Sequence, residues 1–365
     1  MFGRRSWWNI LPLLLFSLAL ISIREQCLAQ STTPPKWQPI GTRPLSTNSP
    51  TKDEDPSVIC GQNGFVYVAW FSDRGGNADI YLTATSDGLS WKAPIRVTTS
   101  PEGDFYPNLF QDYQGIFHLV WFRWSALFRG HILHNTSLDG LTWHQESEEL
   151  VTSETDVDDW VPTITQAPDS TLLVFFVSSR RNPTNPTSDI YLATKRLGAT
   201  GWSQAVAPAG LNSATEHDQL PFATQTGDQL TLVWVRHDTS AILPWTNPKS
   251  DLYFSTSSDG QHWATPGKIT NETGNVVNLF PALYAKPDYQ WSLIWLSNKP
   301  GHPVLYEMPL ANATIYPEGR IRNKRFGVGY SHRVAPTPTR GIYIGVWVEG
   351  PEGAQDIFYR LFKRS

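Results

Sequence analysis

Thr85-Ser86-Asp87-Gly88-Leu89-Ser90-Trp91 returns as Ser137-Leu138-Asp139-Gly140-Leu141-Thr142-Trp143, and again as Ser257-Ser258-Asp259-Gly260-Gln261-His262-Trp263. An Asp-Gly pair between two strand-like runs signals a hairpin, because glycine accepts positive φ and aspartate bonds nearby amides. Upstream of two of these turns stand Asp79-Ile80-Tyr81 and Asp251-Leu252-Tyr253, and the same element recurs as Asp189-Ile190-Tyr191 and Asp356-Ile357-Phe358. Further upstream are short β-branched and aromatic runs such as Phe65-Val66-Tyr67-Val68-Ala69-Trp70 and Leu230-Thr231-Leu232-Val233-Trp234. Such runs, bounded by Gly, Asp and Asn, read as strands.

A proline opens each unit: Pro56, Pro107, Pro162, Pro221, Pro281 and Pro336. The units recur roughly every 55 residues, the length of one four-stranded propeller blade. Some dozen residues after each proline an aromatic closes the second run: Trp70, Trp121, Phe176, Trp234, Trp295 and Trp347. The expected fold is therefore all-β, a six-bladed β-propeller with four antiparallel strands per blade. The sixth unit ends one strand short, soon after Phe362. Trp37-Gln38-Pro39-Ile40 resembles the fourth-strand run Trp91-Lys92-Ala93-Pro94-Ile95. Residues 36–42 are thus expected to complete the last blade, since closure removes exposed sheet edges.

Composition agrees. Charged residues make up 17% of the 365-residue chain and aromatics 13%, with 16 Trp; few charges and many large rings suit strands. A net charge of −4 offers no basic face for nucleic acid. At the N-terminus, Arg4 and Arg5 precede an apolar stretch from Ile10 to Ile23, and Cys27-Leu28-Ala29 supplies small residues for cleavage. Residues 1–29 read as a signal peptide and 30–365 as the propeller. Secretion or periplasmic export is expected, with lipoprotein anchoring through Cys27 as the runner-up and no membrane span in the mature chain. Cys60 is then expected to stand alone, without an internal disulfide. Sequons at Asn135, Asn271 and Asn312 matter only in a glycosylating host.

The Asp-Gly turn looks like the Asp-box, or BNR repeat, of sialidases and their non-catalytic relatives. The resemblance covers residues 36–365. It implies a sialidase-superfamily propeller with the boxes on the face opposite the active site. The functional face is then built from the loops before the first strand and after the second of each blade.

Two constellations fall there. Three residues before the repeat prolines stand Asp53, Asp104, Asp159, Asp218, Asn278 and Arg333, a ring able to hold a cation through oxygen ligands, to bind sugar hydroxyls or to cap its own loops. The second follows from the resemblance. Sialidases use a tyrosine nucleophile activated by a glutamate, an aspartate acid/base and three arginines on the substrate carboxylate. Tyr330 matches the nucleophile, Glu216 its helper and Asp79 the acid/base. Arg74 and Arg236 match two arginines, and Glu349 a glutamate that braces one. The first arginine position of the family is occupied by Glu54, and the blade-five arginine is absent near Ser297-Asn298-Lys299-Pro300. Trp124, Trp160 and Trp245 are candidate sugar-stacking rings or loop packing.

No metal or cofactor is implied. The leading expectation is an exported propeller that binds a glycan or another extracellular ligand on its top face. An exo-sialidase-like glycoside hydrolase and a protein-interaction scaffold of the cell envelope are the alternatives.

Overall fold

The computed structural model describes residues 38–363 except 47–49, 126–129, 155–156, 181–186, 227, 240–243, 245–248, 287–290, 300, 312–313 and 316–329. The first strand, β1 (Arg43–Pro44), precedes blade one, which comprises β2 (Asp53–Cys60), β3 (Val66–Ser72), β4 (Asp79–Thr85) and β5 (Ile95–Arg96). Blade two holds β6 (Gly103–Gln111), β7 (Phe117–Trp124), β8 (Gly130–Ser137) and β9 (Glu149–Leu150). Blade three holds β10 (Asp159–Gln166), β11 (Leu172–Ser178) and β12 (Asp189–Lys195). Blade four runs through β13 (His217–Thr226), β14 (Gln229–His237), β15 (Asp251–Ser257) and β16 (Gly267–Lys268). Blade five has β17 (Asn278–Ala285), β18 (Trp291–Ser297), β19 (Val304–Ala311) and β20 (Thr314–Ile315). Blade six has β21 (Tyr330–Pro336), β22 (Ile342–Glu349) and β23 (Asp356–Lys363). Every pairing is antiparallel and follows chain order within its blade. Blade three has a single bridge, Leu192 with Val206, in place of a fourth strand.

The first strands contact one another in sequence, β2 to β6, β10, β13, β17, β21 and back to β2, so they surround a common axis. The ring closes through β1, which pairs with β23 as Arg43 opposite Tyr359 and Pro44 opposite Phe358. Backbone N–H groups of Ile40 and Leu45 donate to Leu361 and Ile357 carbonyls at 3.1 and 2.6 Å. Ser46 Oγ donates to Asp356 Oδ1 at 3.2 Å and accepts from Ile357 N at 2.9 Å. The closing segment is therefore 40–46, a few residues later than the expected 36–42. Cys60 is disulfide-bonded rather than alone, which corrects that expectation; its partner falls outside the described residues.

Near the axis every first strand carries a bulge. In blade one the register slips between Glu54 and Ser57, and in blade six between Tyr330 and Arg333. The residue in the bulge has positive φ in all six: Asp55, Tyr106, Val161, Leu220, Phe280 and Ser331, between 50° and 54°. The next residue is Pro56, Pro107, Pro162, Pro221 and Pro281, then His332. A bulged residue is left out of the ladder, so proline's missing N–H costs nothing there. This explains the repeat proline and corrects the sixth one. Pro336 lies at the far end of β21 opposite Tyr343, and His332 holds the bulge position. Arg333 therefore follows the bulge and is not the sixth member of the aspartate ring.

Cores form between blades. Trp70, Trp121, Trp234 and Trp347 are fully buried on the second strands. In five blades the second-strand ring stacks on the directly opposite third-strand aromatic, as in Trp234 on Tyr253 at 6.1 Å and Trp295 on Tyr306 at 5.4 Å. Such pairs add about 0.5–1.5 kcal/mol beyond area burial, which accounts for the recurring Asp-Ile-Tyr element. The Asp-Gly turns work as read: Asp87, Asp139 and Asp259 each accept two backbone N–H groups at 2.7–2.8 Å. These bonds hold the Asp139 carboxyl down at about 2 despite its partial burial. Each following Trp reaches the preceding blade: Trp91 meets Tyr359 edge-on at 5.1 Å and Trp263 meets Phe175 at 5.4 Å.

Deleting residues 30–46 should lower the melting temperature by several degrees and produce concentration-dependent association, because β23 becomes an open edge. Differential scanning fluorimetry and analytical ultracentrifugation read both effects. A deletion variant that melts and sediments like the parent rules the closure out.

Candidate functional site

The aspartates that begin the first strands are fully buried, and each has its cation in its own blade. Arg74 Nη2 donates to both Asp53 oxygens at 3.0 and 2.9 Å. Arg123 grips Asp104 through Nε at 2.7 Å and Nη2 at 2.9 Å. Arg180 Nη1 reaches Asp159 at 2.6 Å, and Arg236 holds Asp218 through Nε at 2.6 Å and Nη2 at 3.0 Å. The same guanidiniums lie over the stacked rings: Arg74 is 4.6 Å from the Tyr81 ring, Arg180 5.1 Å from Tyr191 and Arg236 4.4 Å from Tyr253. Blade five replaces the pair coherently. Asn278 accepts Trp295 Nε1 at 3.2 Å, while Lys299 turns to Glu272 at 2.8 Å. Where a neutral amide replaces the acid, the arginine is gone too.

These braces occupy several residues read from sequence as ligand contacts. Arg74 and Arg236 are charge-paired with Asp53 and Asp218. Asp104 and Asp159 face arginines rather than the open top. Asp79 is fully buried and accepts Arg96 Nη2 at 2.5 Å. Glu349 accepts Trp347 Nε1 at 2.6 Å instead of bracing an arginine. Glu216 accepts Ser213 Oγ at 3.4 Å, whereas the tyrosine it was matched to has a different partner.

That partner is Glu54. Tyr330 Oη donates to Glu54 Oε1 at 2.5 Å, across the seam between blades six and one. The other Glu54 oxygen is 3.2 Å from Lys52 Nζ. Next to Glu54, the bulge residue Asp55 accepts Ser331 Oγ at 3.4 Å. Burial pushes the Asp55 carboxyl up to about 7; the Glu54 charge adds to the rise and Arg333 opposes it. Burial and Glu54 likewise drive the Tyr330 hydroxyl far above its ordinary range. Tyr106, the bulge residue of blade two, is also pushed well up, first by burial and then by Asp55 and Glu54. Phe280, the bulge residue of blade five, packs 6.2 Å from the Tyr330 ring.

Arg333 completes the cluster. Its Nη1 donates to the His332 carbonyl at 2.9 Å, and its guanidinium lies 5.7 Å from the Phe222 ring. Among the described residues no carboxylate comes within ion-pair distance of it. Burial lowers its pKa to about 10, and Asp55 pulls the other way.

The positions one past the bulge differ between the two halves of the hub. Ser57 Oγ, Asn108 Oδ1 and Thr163 Oγ1 each accept a backbone N–H from the next blade, of Leu109, Ile164 and Ala223. Blades four to six have Phe222, Ala282 and Arg333 instead. Half of the hub is stitched shut, and the other half combines an aromatic face, a small residue and a cation.

Trp124, at the end of β7, is 38% exposed and meets Phe122 edge-on at 5.8 Å. Trp160 is half-buried between blades two, three and four. Trp245 lies outside the described residues. No group of three or more acidic, His or Cys side chains among the described residues is placed to hold a metal.

Sequence reasoning missed Asp55, Tyr106 and Lys52, and noted Glu54 only as a departure from the family's first arginine. A signal was present. Glu54-Asp55 is the one doubly charged pair ahead of a repeat proline, where other blades have Phe105-Tyr106, Trp160-Val161, Gln219-Leu220 and Leu279-Phe280.

No family model matches the chain, and no curated protein matches it. Solved structures do. A protein of unknown function from Dyadobacter fermentans superposes with a TM-score of 0.70 at 14% identity, covering 91% of this chain and 100% of that one. An α-L-arabinofuranosidase of Fusarium graminearum in complex with an iminosugar inhibitor gives 0.63 at 14%, over 85% and 93%. The Hadza microbial sialidase Hz136 gives 0.58 at 10%, over 85% of this chain and 65% of its own. At these identities the likeness establishes the fold, a sialidase-like six-bladed propeller.

Replacing Arg123 with Met strands the Asp104 carboxyl in a dry site. Stability in urea titrations should fall by about 3–5 kcal/mol. Adding Asp104→Asn should recover part of the loss. A single variant as stable as the parent removes the brace from consideration.

Proposed function

We propose that this chain is an exported glycan-acting protein whose axial cluster hydrolyses glycosidic bonds. The observation that carries the reading is the 2.5 Å Tyr330–Glu54 hydrogen bond beside a second carboxyl, Asp55, held near neutrality. A carboxyl raised to about 7 beside the carboxyl that accepts the Tyr330 hydroxyl suits paired acid and base roles. A phenol is a weak nucleophile, and a carboxylate already in hydrogen-bond contact can take its proton as it attacks. Tyrosine nucleophiles are a known exception among glycosidases.

In this scheme Tyr330 Oη bonds to the anomeric carbon and its proton passes to Glu54. Asp55, protonated below about pH 7, gives its proton to the departing glycosidic oxygen. Water then cleaves the glycosyl–tyrosine bond, Asp55 accepting the water's proton while Glu54 returns its proton to the departing Tyr330 oxygen. Lys52 compensates the Glu54 charge, and the rings of Trp124 and Trp160 offer faces for flanking sugars. The fold shared with an arabinofuranosidase and a sialidase supports the assignment to glycans, and the apolar N-terminal segment supports export.

Binding without turnover is a second reading. The elevated Tyr330 hydroxyl and the engagement of Arg74 and Arg236 by aspartates favour it.

A panel of aryl glycosides decides between the two. For a hydrolase, Tyr330→Phe and Asp55→Asn should each lower kcat/KM by at least about 100-fold. The wild-type rate should fall about tenfold per pH unit above 7, as Asp55 loses its proton. Glycan binding with no turnover on any glycoside selects the second reading, and neither binding nor turnover defeats both.

A further inference from the structure

Of the arginines near the top of the propeller, Arg74, Arg123, Arg180 and Arg236 are each neutralised by an aspartate of their own blade. Among the described residues Arg333 has no such partner. It stands one residue past the blade-six bulge, and its Nη1 donates to the His332 carbonyl. The nearest anionic group in electrostatic reach is Asp55, which does not pair with it. A half-buried cation with no acidic partner among the described residues is costly, so an anion arriving at it gains both attraction and relief of that cost.

We propose that Arg333 holds the carboxylate of an acidic sugar residue, a uronic acid, on the propeller axis, and that this binding is coupled to protonation of Asp55. A planar guanidinium matches a carboxylate in paired hydrogen bonds. Glu54 and Asp55 alongside disfavour a dianion such as phosphate. The Phe222 face and the small Ala282 leave an apolar wall for a sugar ring.

The coupling follows from charge. Arg333 gives Asp55 the largest help to ionise, ahead of the Ser331 hydrogen bond and Lys52. A ligand carboxylate that occupies Arg333 withdraws that help and adds a second negative charge, so Asp55 takes up a proton as the ligand binds. The other groups facing Asp55 are few. Lys52 and Glu54 share its strand; Asp53 on that strand is paired with Arg74. On β6 there are Tyr106, whose hydroxyl stays protonated, and Asp104, paired with Arg123. On β21 there are Tyr330 and His332, and burial lowers the latter to about 3. On β22 Glu349 is bonded to Trp347, and on β23 Asp356 accepts Ser46.

The inference rests on the axial cluster being the glycan site, but not on turnover. Calorimetry with glucuronate and galacturonate, against glucose, galactose and acetate, tests it. Uronates should bind at least tenfold more tightly than their neutral parents, and Arg333→Met should erase the difference. Uronate affinity should fall about tenfold per pH unit above 7, and Asp55→Asn should flatten that slope while retaining binding at pH 8. Neutral sugars that bind as well as uronates, or an Arg333→Met variant of unchanged preference, overturn the inference and leave the glycan reading standing. Acetate binding as tightly as uronate overturns the sugar class. Absence of binding to every sugar overturns both.

Discussion

One extra residue near the axis in each innermost strand sets the geometry of this molecule. The bulge turns the backbone into the left-handed region at Asp55, Tyr106, Val161, Leu220, Phe280 and Ser331, where non-glycine residues are strained unless their surroundings hold them. The surroundings do so six times over, because each inner strand is wedged between two others. Strain repeated around the whole ring belongs to the architecture. What differs between blades is which side chains the bulge re-aims toward the axis. Blade one presents two carboxylates there, blade six a tyrosine and then an arginine, and blades three to five mainly apolar groups. The functional asymmetry of a symmetric fold comes from those few positions.

The second organising feature is local neutralisation. Each Asp–Arg brace joins the start of a first strand to the end of a second and lays the guanidinium over the aromatic stack of the same sheet. Desolvation makes such a pair expensive to break rather than strongly stabilising in itself. Its consequence for function is subtractive. Among the described residues, Arg74, Arg123, Arg180 and Arg236 are balanced in this way and Arg333 is not. Blade five supports this logic, since Asn278 and Lys299 change together.

The comparison with relatives of known fold is informative in the same way. Arabinose- and sialic-acid-acting propellers share the scaffold at 10–14% identity, so the scaffold alone does not select a sugar. Within this chain the hub is divided. There Ser57, Asn108 and Thr163 spend their polar atoms on the next blade's backbone, while Phe222, Ala282 and Arg333 do not.

Repetition, strand patterning and turn chemistry were legible in the chain itself: six units, Asp-Gly hairpins, a second-strand aromatic and an N-terminal closing segment are all local or periodic signals. The site was legible only in part. Tyr330 could be singled out from its place before a strand, but its partner could not, because Glu54 is 276 positions away and meets it only where the last blade closes against the first. Arg333 was placed in the wrong register, since Pro336 resembles a repeat proline while His332 fills that structural position. Arg74, Arg236 and the aspartates looked like separate ligand groups until the sheets brought them into contact. Linear spacing determines what each blade is made of; which charges cancel and which remain depends on distances between strands, and those exist only once the ring has formed.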